Sequence, residues 1–369
     1  MRNFYSFDEF SMPLWIQTLF WGIYVAVFVY AVWKILLSAP KYKENKAFVA
    51  LFGIFFALYA VFYCVNPDYF RYREWLDVAS VDYWVKEKFY FYLVLFCHRL
   101  PFDYPFEVFR LIVWGGGILI SYNTFRLYRG LLLPDLTLLL LFVCYAGIFC
   151  YARASMAMAV YFFGIAISLR HHRIIPKLIG IGIAISSCLL HREMLIGIAL
   201  LPCLLFPFEK KSFSFLSIII LLATIVVISY FASNLPLLDQ MFDNNDLSSK
   251  IEEMNNKGLG KMRLSTLIKY LNFFYPFYLL TKVFWRKKIP DSLIGMYRIT
   301  YGILMTSIAF MVVFGLRSVY SYRVMYITMI PLALLINYGY CQGYIKKRQM
   351  MIVLIFAILT NSIRVLNAQ

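Results

Sequence analysis

Residues 131–169 read LLLPDLTLLLLFVCYAGIFCYARASMAMAVYFFGIAISL, and this stretch decides the fold. It is apolar almost throughout. Its 39 residues are just enough for two membrane-spanning helices, because each such helix needs about 20 apolar residues. The connection between the two helices must therefore be tight. Arg153 lies in that connection, at the start of an otherwise uncharged helix, so the stretch predicts a membrane hairpin with an arginine at its turn.

The composition of the whole chain indicates a membrane protein. Apolar residues make up 62% of the 369 residues and charged residues only 15%, against about half and about a quarter in ordinary globular proteins. So few charges cannot cover a soluble surface, and the high hydrophobicity excludes disorder. The seven cysteines show no paired spacing. With four histidines and no His/Cys cluster, we expect no metal and no cofactor.

The apolar runs predict an all-α, polytopic transmembrane bundle of about twelve spans (11–13) in a single integral membrane domain, residues 1–369. Short basic connections alternate with a second set without a break. The positive-inside rule places the basic set in the cytoplasm and both termini outside. The predicted spans are roughly 13–37, 47–65, 106–125, 131–150, 153–169, 174–190, 192–207, 213–233, 264–284, 294–315, 320–340 and 348–366.

The formal net charge of +17 mostly follows from this topology. The predicted cytoplasmic side carries a net charge of +15 and the outer side a net charge of +2, so nucleic acid is not needed as a partner. Two outer segments are not spans. Residues 84–100 are apolar but interrupted by charges, which predicts an interfacial or re-entrant amphipathic helix. Residues 234–262 form a polar loop of the length that binding loops often have.

The first candidate site on the outer side is the segment 66–75, NPDYFRYREW. Tyrosines and tryptophans at a membrane edge usually form an aromatic belt. A belt does not explain the charges in this segment, whereas aromatic faces beside carboxylates and guanidinium groups suit sugars and phosphates. The candidate residues are Asp68, Tyr69, Arg71 and Tyr72.

The second candidate is the turn that contains His191 and Glu193. Residues 174–208 number 35, fewer than the roughly 40 that two full spans need. The two helices must therefore be short, or their turn must be recessed. A histidine in a partly dry place can act as a general base. The alternative is an internally paired polar turn without catalytic function.

The third candidate is a set of outer arginines. Arg317 and Arg323 lie between two late spans, and Tyr326 follows Arg323 by one helical turn. A guanidinium group makes bidentate bonds to phosphate oxygens that an ammonium group cannot make. For Arg153 the alternative is a snorkelling arginine at a helix end. Together these residues predict a site for a membrane-anchored pyrophosphate that carries sugars.

These residues also carry a resemblance. The chain resembles the EpsG/Wzy-type polysaccharide polymerases of the bacterial inner membrane in three places. The first is Asp68 followed by spaced tyrosines. The second is Arg153 at the start of a small-residue helix, followed by a basic turn and a helix that ends in His191. The third is Arg323 followed by Tyr326. Small residues usually follow this histidine, whereas Arg and Glu193 follow it here, so Glu193 is a further base candidate.

The resemblance implies an enzyme, a metal-independent membrane glycosyltransferase with its active face in the periplasm. It would transfer a growing O-antigen or exopolysaccharide chain from undecaprenyl pyrophosphate to the non-reducing end of an incoming lipid-linked repeat unit. It implies His191, Asp68 or Glu193 as the base, Arg153, Arg317 and Arg323 as pyrophosphate ligands, and Tyr69, Arg71, Tyr72 and Tyr326 as sugar ligands. The implied partners are the undecaprenyl-pyrophosphate-linked oligosaccharide, membrane lipids and a chain-length co-polymerase.

Two alternatives share these features. A lipid-linked-oligosaccharide flippase would be a transporter, and it needs charged residues deep in a cavity that opens to both sides. Few ionisable residues lie near the middle of any predicted span, which favours an enzyme. An O-antigen ligase, or another polyprenyl-phosphate-dependent glycosyltransferase, would bind the same lipid on the same face.

Overall fold

The computed structural model describes residues 14–35, 46–63, 76, 88–101, 104–150, 154–171, 173–201, 264–314 and 319–366, and nearly all of these are helical. No strand occurs within these ranges, where the extended pairing is a single isolated bridge between Arg129 and Leu132. The all-α class is thus confirmed for this part of the chain. The predicted span 213–233 and the predicted outer loop 234–262 lie outside the described residues.

The described ranges contain thirteen helices, of which α4 includes a π-helical turn at Leu111–Gly115. The third helix lies within the predicted amphipathic segment 84–100. In chain order the helices are α1 (Leu14–Trp33), α2 (Lys46–Phe62), α3 (Lys88–Arg99), α4 (Pro105–Leu127), α5 (Pro134–Phe149), α6 (Ser155–Arg170), α7 (Ile174–Leu190), α8 (Met194–Ala199), α9 (Leu264–Arg286), α10 (Asp291–Phe314), α11 (Val319–Tyr326), α12 (Met329–Cys341) and α13 (Lys347–Leu366).

The helices identify a membrane protein, but their lengths do not confirm twelve spans. Within the described residues, three segments are long and apolar enough to cross a bilayer, namely Trp15–Trp33, Pro105–Leu127 and Asp291–Val312. Five further helices (α2, α5, α6, α7 and α12) are apolar but shorter. A helix of 16 residues is about 24 Å long, whereas the hydrocarbon core is about 30 Å thick.

Helix α5 is the centre of the bundle. Every residue from Pro134 to Phe149 is buried, as expected for a helix that is apolar around its whole circumference. Helices α1, α2, α4, α12 and α13 all pack against it. At its start, the Oδ1 atom of Asp135 accepts a hydrogen bond from the Leu136 N–H at 2.8 Å, and a carboxylate in the first turn of a helix is favourable.

Polar side chains from five surrounding helices donate hydrogen bonds to backbone carbonyls of α5 and of the residue before it. Buried polar groups need such partners, and side-chain hydrogen bonds in membrane proteins contribute about 0.6 kcal/mol each. The bonds therefore define how each helix is placed against α5. The pairs are Tyr24 and Asn361 with Val143, Asn272 with Cys144, Trp114 with Phe149, and Asn337 with Leu133, at 2.7–3.1 Å.

A buried ion pair holds the end of the bundle at which α5 begins, which we call the Lys34 end. The Lys34 Nζ atom lies 3.6 Å from Asp135 Oδ2, and the two side chains are 4% and 0% exposed. The Lys34 ammonium also lies 3.9 Å from the ring centroid of Phe48. The Tyr340 hydroxyl donates to the Ile35 carbonyl at 2.7 Å. The end of α1, the start of α5 and the end of α12 are thereby joined.

The predicted span 320–340 is not one continuous helix. It is divided into α11 and α12, with a break at Ile327 and Thr328. Pro331 explains the position of the break, because a proline ring clashes with the carbonyl group four residues earlier and cannot donate a backbone hydrogen bond. At the break, the Thr328 hydroxyl and the Thr328 backbone N–H both donate to the Met325 carbonyl, at 2.7 and 2.9 Å.

Helices α6 and α7 approach closely through glycines. A Cβ atom added to Gly164 would lie 2.5 Å from both the Ala184 N atom and the Gly180 O atom. A Cβ atom added to Gly180 would lie 2.5 Å from the Gly164 O atom. Small residues at such interfaces allow the backbones of membrane helices to touch. By contrast, a Cβ atom added to Gly182, on the same helix, would meet nothing within 4 Å.

We therefore predict that Gly164→Ala and Gly180→Ala each destabilise the protein, by the roughly 1–3 kcal/mol that is typical of overpacking. Gly182→Ala is the matched control, and we expect it to leave stability unchanged or slightly improved, because alanine favours helix over glycine. The measurement is the thermal midpoint of the detergent-solubilised protein, followed by size-exclusion chromatography. Equal midpoints for all three variants would show that α6 and α7 do not touch in this way.

A second prediction concerns the buried ion pair. Asp135→Asn keeps an oxygen for the Leu136 N–H but removes the charge opposite Lys34. Breaking a buried pair by neutralising one partner typically costs about 3–5 kcal/mol, so we expect a clear fall in the thermal midpoint. Replacing both partners, as Lys34→Met with Asp135→Asn, should recover most of the loss. A double variant as unstable as the single one would contradict this account.

Candidate functional site

The turn that contains His191 lies at the end of the bundle opposite the Lys34 end, and we call this the His191 end. Helix α5 leads away from the Lys34 end, α6 leads back towards it, and α7 packs along α6 and leads away again. Helix α7 has 17 residues, or about 26 Å, which agrees with the short helix expected from the sequence. It ends at Leu190, after which the backbone of His191 is extended.

Two contacts hold the short helix that follows this turn. The Tyr161 hydroxyl of α6 donates to the Gly197 carbonyl of α8 at 2.7 Å. A Cβ atom at Gly197 would lie only 2.8 Å from the Tyr161 ring, so glycine permits this approach. Leu200 then lies against Gly302 of α10. The turn is thus fixed between α6 and α10.

Three of the predicted site residues meet at the His191 end, in what we call the His191–Glu193–Arg323 cluster. The Arg323 Nη1 atom of α11 donates to Glu193 Oε1 at 3.4 Å. The other carboxylate oxygen, Oε2, lies 3.9 Å from His191 Nδ1. The His191 and Glu193 side chains are 13% and 24% exposed, and the Arg323 side chain is 55% exposed. The carboxylate therefore lies between the imidazole and the guanidinium group.

The contacts of His191 define the tautomer of its neutral form. The Glu193 backbone N–H donates to His191 Nδ1 at 3.3 Å, which requires an unprotonated Nδ1 atom. A neutral imidazole then carries its proton on Nε2. In this arrangement His191 offers a hydrogen-bond donor, while the nearby proton-accepting group is the Glu193 carboxylate. A protonated His191 would instead form an ion pair with that carboxylate.

Aromatic side chains of α9 and α11 lie next to the cluster. Tyr326 follows Arg323 on α11, as the sequence predicts, and its ring centroid lies 6.1 Å from that of Phe273. Tyr322, also on α11, stacks on Tyr270 of α9 with centroids 4.5 Å apart. Aromatic faces of this kind suit the apolar faces of sugar rings. Tyr270 is not among the site residues predicted from the sequence, because it lies in an apolar helix about fifty residues before Arg323.

Four of the predicted site residues lie within the described part of the chain. Only His191, Glu193, Arg323 and Tyr326 are among the described residues, and the first three are brought into contact. Within the described ranges, no group of three or more His, Cys, Asp or Glu side chains could hold a metal ion. The predicted residues that lie outside the described ranges are Asp68, Tyr69, Arg71, Tyr72, Arg153 and Arg317.

Arg110 is a buried charged residue at the His191 end that the sequence analysis did not select. It is 2% exposed, and its Nη2 atom donates to the carbonyls of Ala60 and Tyr63, both at 2.7 Å. In the sequence it lies within the predicted apolar span 106–125. The available signal was an ionisable residue inside an apolar segment, which in membrane proteins indicates a functional position.

Comparison with known proteins places the chain in a family. The sequence profile of the EpsG family matches residues 45–366, which is most of the chain. No curated protein matches it, and no solved structure matches it. The matched region contains the His191–Glu193–Arg323 cluster and all the other predicted site residues. The chain therefore belongs to the EpsG family, which includes polysaccharide polymerases of the Wzy type.

Proposed function

We propose that this protein is a polysaccharide polymerase that transfers a growing glycan from undecaprenyl pyrophosphate to the non-reducing end of an incoming lipid-linked repeat unit. Membership of the EpsG family supports the reaction type. The observation that carries the proposal is the contact of Arg323 with Glu193 beside His191. It brings an anion-binding group and a proton-accepting group together at one end of an apolar helical bundle.

The proposal includes a twelve-span topology in the bacterial inner membrane, with the His191 end in the periplasm. The support is the distribution of basic residues at the Lys34 end. Arg286 ends α9 and is followed by Lys287 and Lys288, and Lys346 precedes Lys347 at the start of α13. Basic connections of this kind stay in the cytoplasm. The His191 end would then face repeat units that have already been flipped across the membrane.

In the proposed reaction, a hydroxyl oxygen of the incoming repeat unit attacks the anomeric carbon of the sugar attached to the donor pyrophosphate. A glycosidic C–O bond forms, and the C–O bond to the pyrophosphate breaks. Undecaprenyl pyrophosphate leaves with the electron pair, and the hydroxyl proton passes to a base on the protein. Positioned guanidinium groups stabilise the charge that develops on the leaving group.

The contacts of the cluster favour particular roles for its members. Arg323 is more than half exposed, so its guanidinium group is available to a pyrophosphate. An arginine that turns from Glu193 to the pyrophosphate releases the carboxylate to accept a proton. Because His191 Nδ1 already accepts the Glu193 N–H, Glu193 is the better base within the cluster. His191 then orients Glu193 or donates a hydrogen bond to the substrate.

The remaining roles follow the family resemblance. Arg153 and Arg317 would bind the pyrophosphate together with Arg323, and Asp68 is a further base. The sugar ligands would be Tyr69, Arg71, Tyr72 and Tyr326. Membrane lipids surround the bundle, and a chain-length co-polymerase is a proposed partner that determines product length. No metal is assigned a role.

The first test is the glycan ladder of a deletion strain complemented with single variants. Arg153→Ala, His191→Ala and Arg323→Ala should leave single repeat units but reduce longer polymer by about 100-fold or more, as is typical when one transition-state donor is lost. Arg99→Ala is the control, because Arg99 is an exposed arginine at the end of α3. Full-length polymer from all three variants would contradict the proposal. Polymer that accumulates on its lipid carrier would indicate a ligase.

A second test exchanges the charges of the Arg323–Glu193 pair. The double variant Glu193→Arg with Arg323→Glu keeps an ion pair between α11 and the His191 turn, but it moves the positive charge to the other side. If the pair serves chemistry, we expect normal amounts of folded protein and no long polymer. If polymer length returned to that of the wild type, the pair would have only a structural role. The readouts are the glycan ladder and size-exclusion chromatography of the solubilised protein.

A further inference from the structure

The guanidinium group of Arg110 caps the end of α2. Its two hydrogen bonds, to the Ala60 and Tyr63 carbonyls, are both 2.7 Å long. The last carbonyls of a helix have no partner within the helix, and a positive charge near them is favourable. Bonds from a charged donor are about twice as strong as neutral ones. Arg110 therefore fixes the point at which the chain leaves α2.

Trp114, one helical turn after Arg110 on α4, fixes the end of α5 in a similar way. Its indole N–H donates to the Phe149 carbonyl at 2.8 Å. Phe149 is the last residue of α5. The Arg110 guanidinium lies 5.1 Å from the Trp114 ring centroid and 5.5 Å from that of Phe106, within the range of cation–π interactions. The cap of α2 and the cap of α5 thus form one buried unit.

We propose that Arg110 and Trp114 form a positioning clamp for the polymerase reaction, which holds the ends of α2 and α5 at a fixed separation. This inference rests on the proposed function. The chain that leaves α2 reaches Asp68 five residues after Tyr63, and the chain that leaves α5 reaches Arg153 four residues after Phe149. The further base candidate, Asp68, and one of the proposed pyrophosphate ligands, Arg153, therefore each follow an anchored helix end within five residues along the chain.

The local backbone supports a role beyond filling space. Burying a charge among apolar helices is expensive, and well-packed apolar residues are often more stable than a buried charged group. A π-helical turn, Leu111–Gly115, follows Arg110 directly. Such turns are rare and occur frequently at functional sites. The fold retains both features between two helix ends that lead to proposed site residues.

The clamp makes specific predictions for single variants. Arg110→Met removes the two hydrogen bonds that cap the end of α2. It should lower polymer formation at least tenfold per folded molecule. Arg110→Lys keeps a charged donor and should rescue part of the activity. Trp114→Phe keeps the ring but removes the N–H that binds Phe149, and it should also lower activity. The assay uses full-length purified protein in proteoliposomes, with lipid-linked repeat units extracted from the deletion strain.

A covalent staple separates positioning from chemistry. A Cβ atom at Gly115 would lie 3.7 Å from the Ala57 Cβ atom, and disulfides need a Cβ–Cβ distance of about 3.5–4.5 Å. The double substitution Ala57→Cys with Gly115→Cys therefore allows α2 to be linked to α4 near the clamp. In an Arg110→Met background, oxidation should restore at least half of the lost activity, and dithiothreitol should abolish the rescue. The single cysteine variants are the controls.

The outcomes distinguish the clamp from the proposed function. Wild-type protein that makes no polymer under these conditions would overturn the polymerase proposal. If the wild type is active but the oxidised staple gives no rescue, the clamp is overturned. Wild-type activity in Arg110→Met would overturn it equally. If Arg110→Met does not fold, Arg110→Lys in the same staple background gives the same comparison, because Arg110 is the residue that joins α4 to α2. A rise in its activity on oxidation would support the clamp, and the absence of a rise would overturn it.

Discussion

Hydrogen bonds from surrounding side chains to the backbone of α5 are the interaction on which this bundle depends. Apolar packing alone does not fix how membrane helices slide or rotate, because lipid tails are as apolar as leucine. Three such bonds fix the positions of α1, α9 and α4 along the axis of α5. They run from Tyr24 to Val143, from Asn272 to Cys144 and from Trp114 to Phe149. With the ends of α5 placed in this way, the close approach of α6 and α7 carries His191 to the opposite end from Lys34.

The chemistry proposed for the His191 end depends on one shared carboxylate. Glu193 contacts Arg323 on one side and His191 on the other. A pyrophosphate that competes for Arg323 would therefore change the availability of the carboxylate at the moment when a proton must be accepted. In this way leaving-group binding and base activation would be coupled through a single contact. In the proposed clamp, Arg110 and Trp114 would act away from the reacting atoms, at the helix ends that precede Asp68 and Arg153 in the chain.

The sequence was sufficient to predict the helical class and the short helix before His191, because these follow from counting apolar residues against membrane thickness. The break between α11 and α12 was not predicted, although Pro331 is a visible cause. The contact of Glu193 with Arg323 joins residues 130 positions apart, and no local pattern encodes it. The importance of Arg110 was missed for a related reason, since its partners lie on another helix, about fifty residues earlier.

The central claim is that this bundle joins glycans by releasing undecaprenyl pyrophosphate. The most direct measurement counts that lipid in proteoliposomes that contain only the purified protein and lipid-linked repeat units. The account predicts one undecaprenyl pyrophosphate released for each glycosidic bond formed, with loss of both products in Arg323→Ala. Repeat units that cross the bilayer without elongation, or elongation without release of the lipid pyrophosphate, would contradict it.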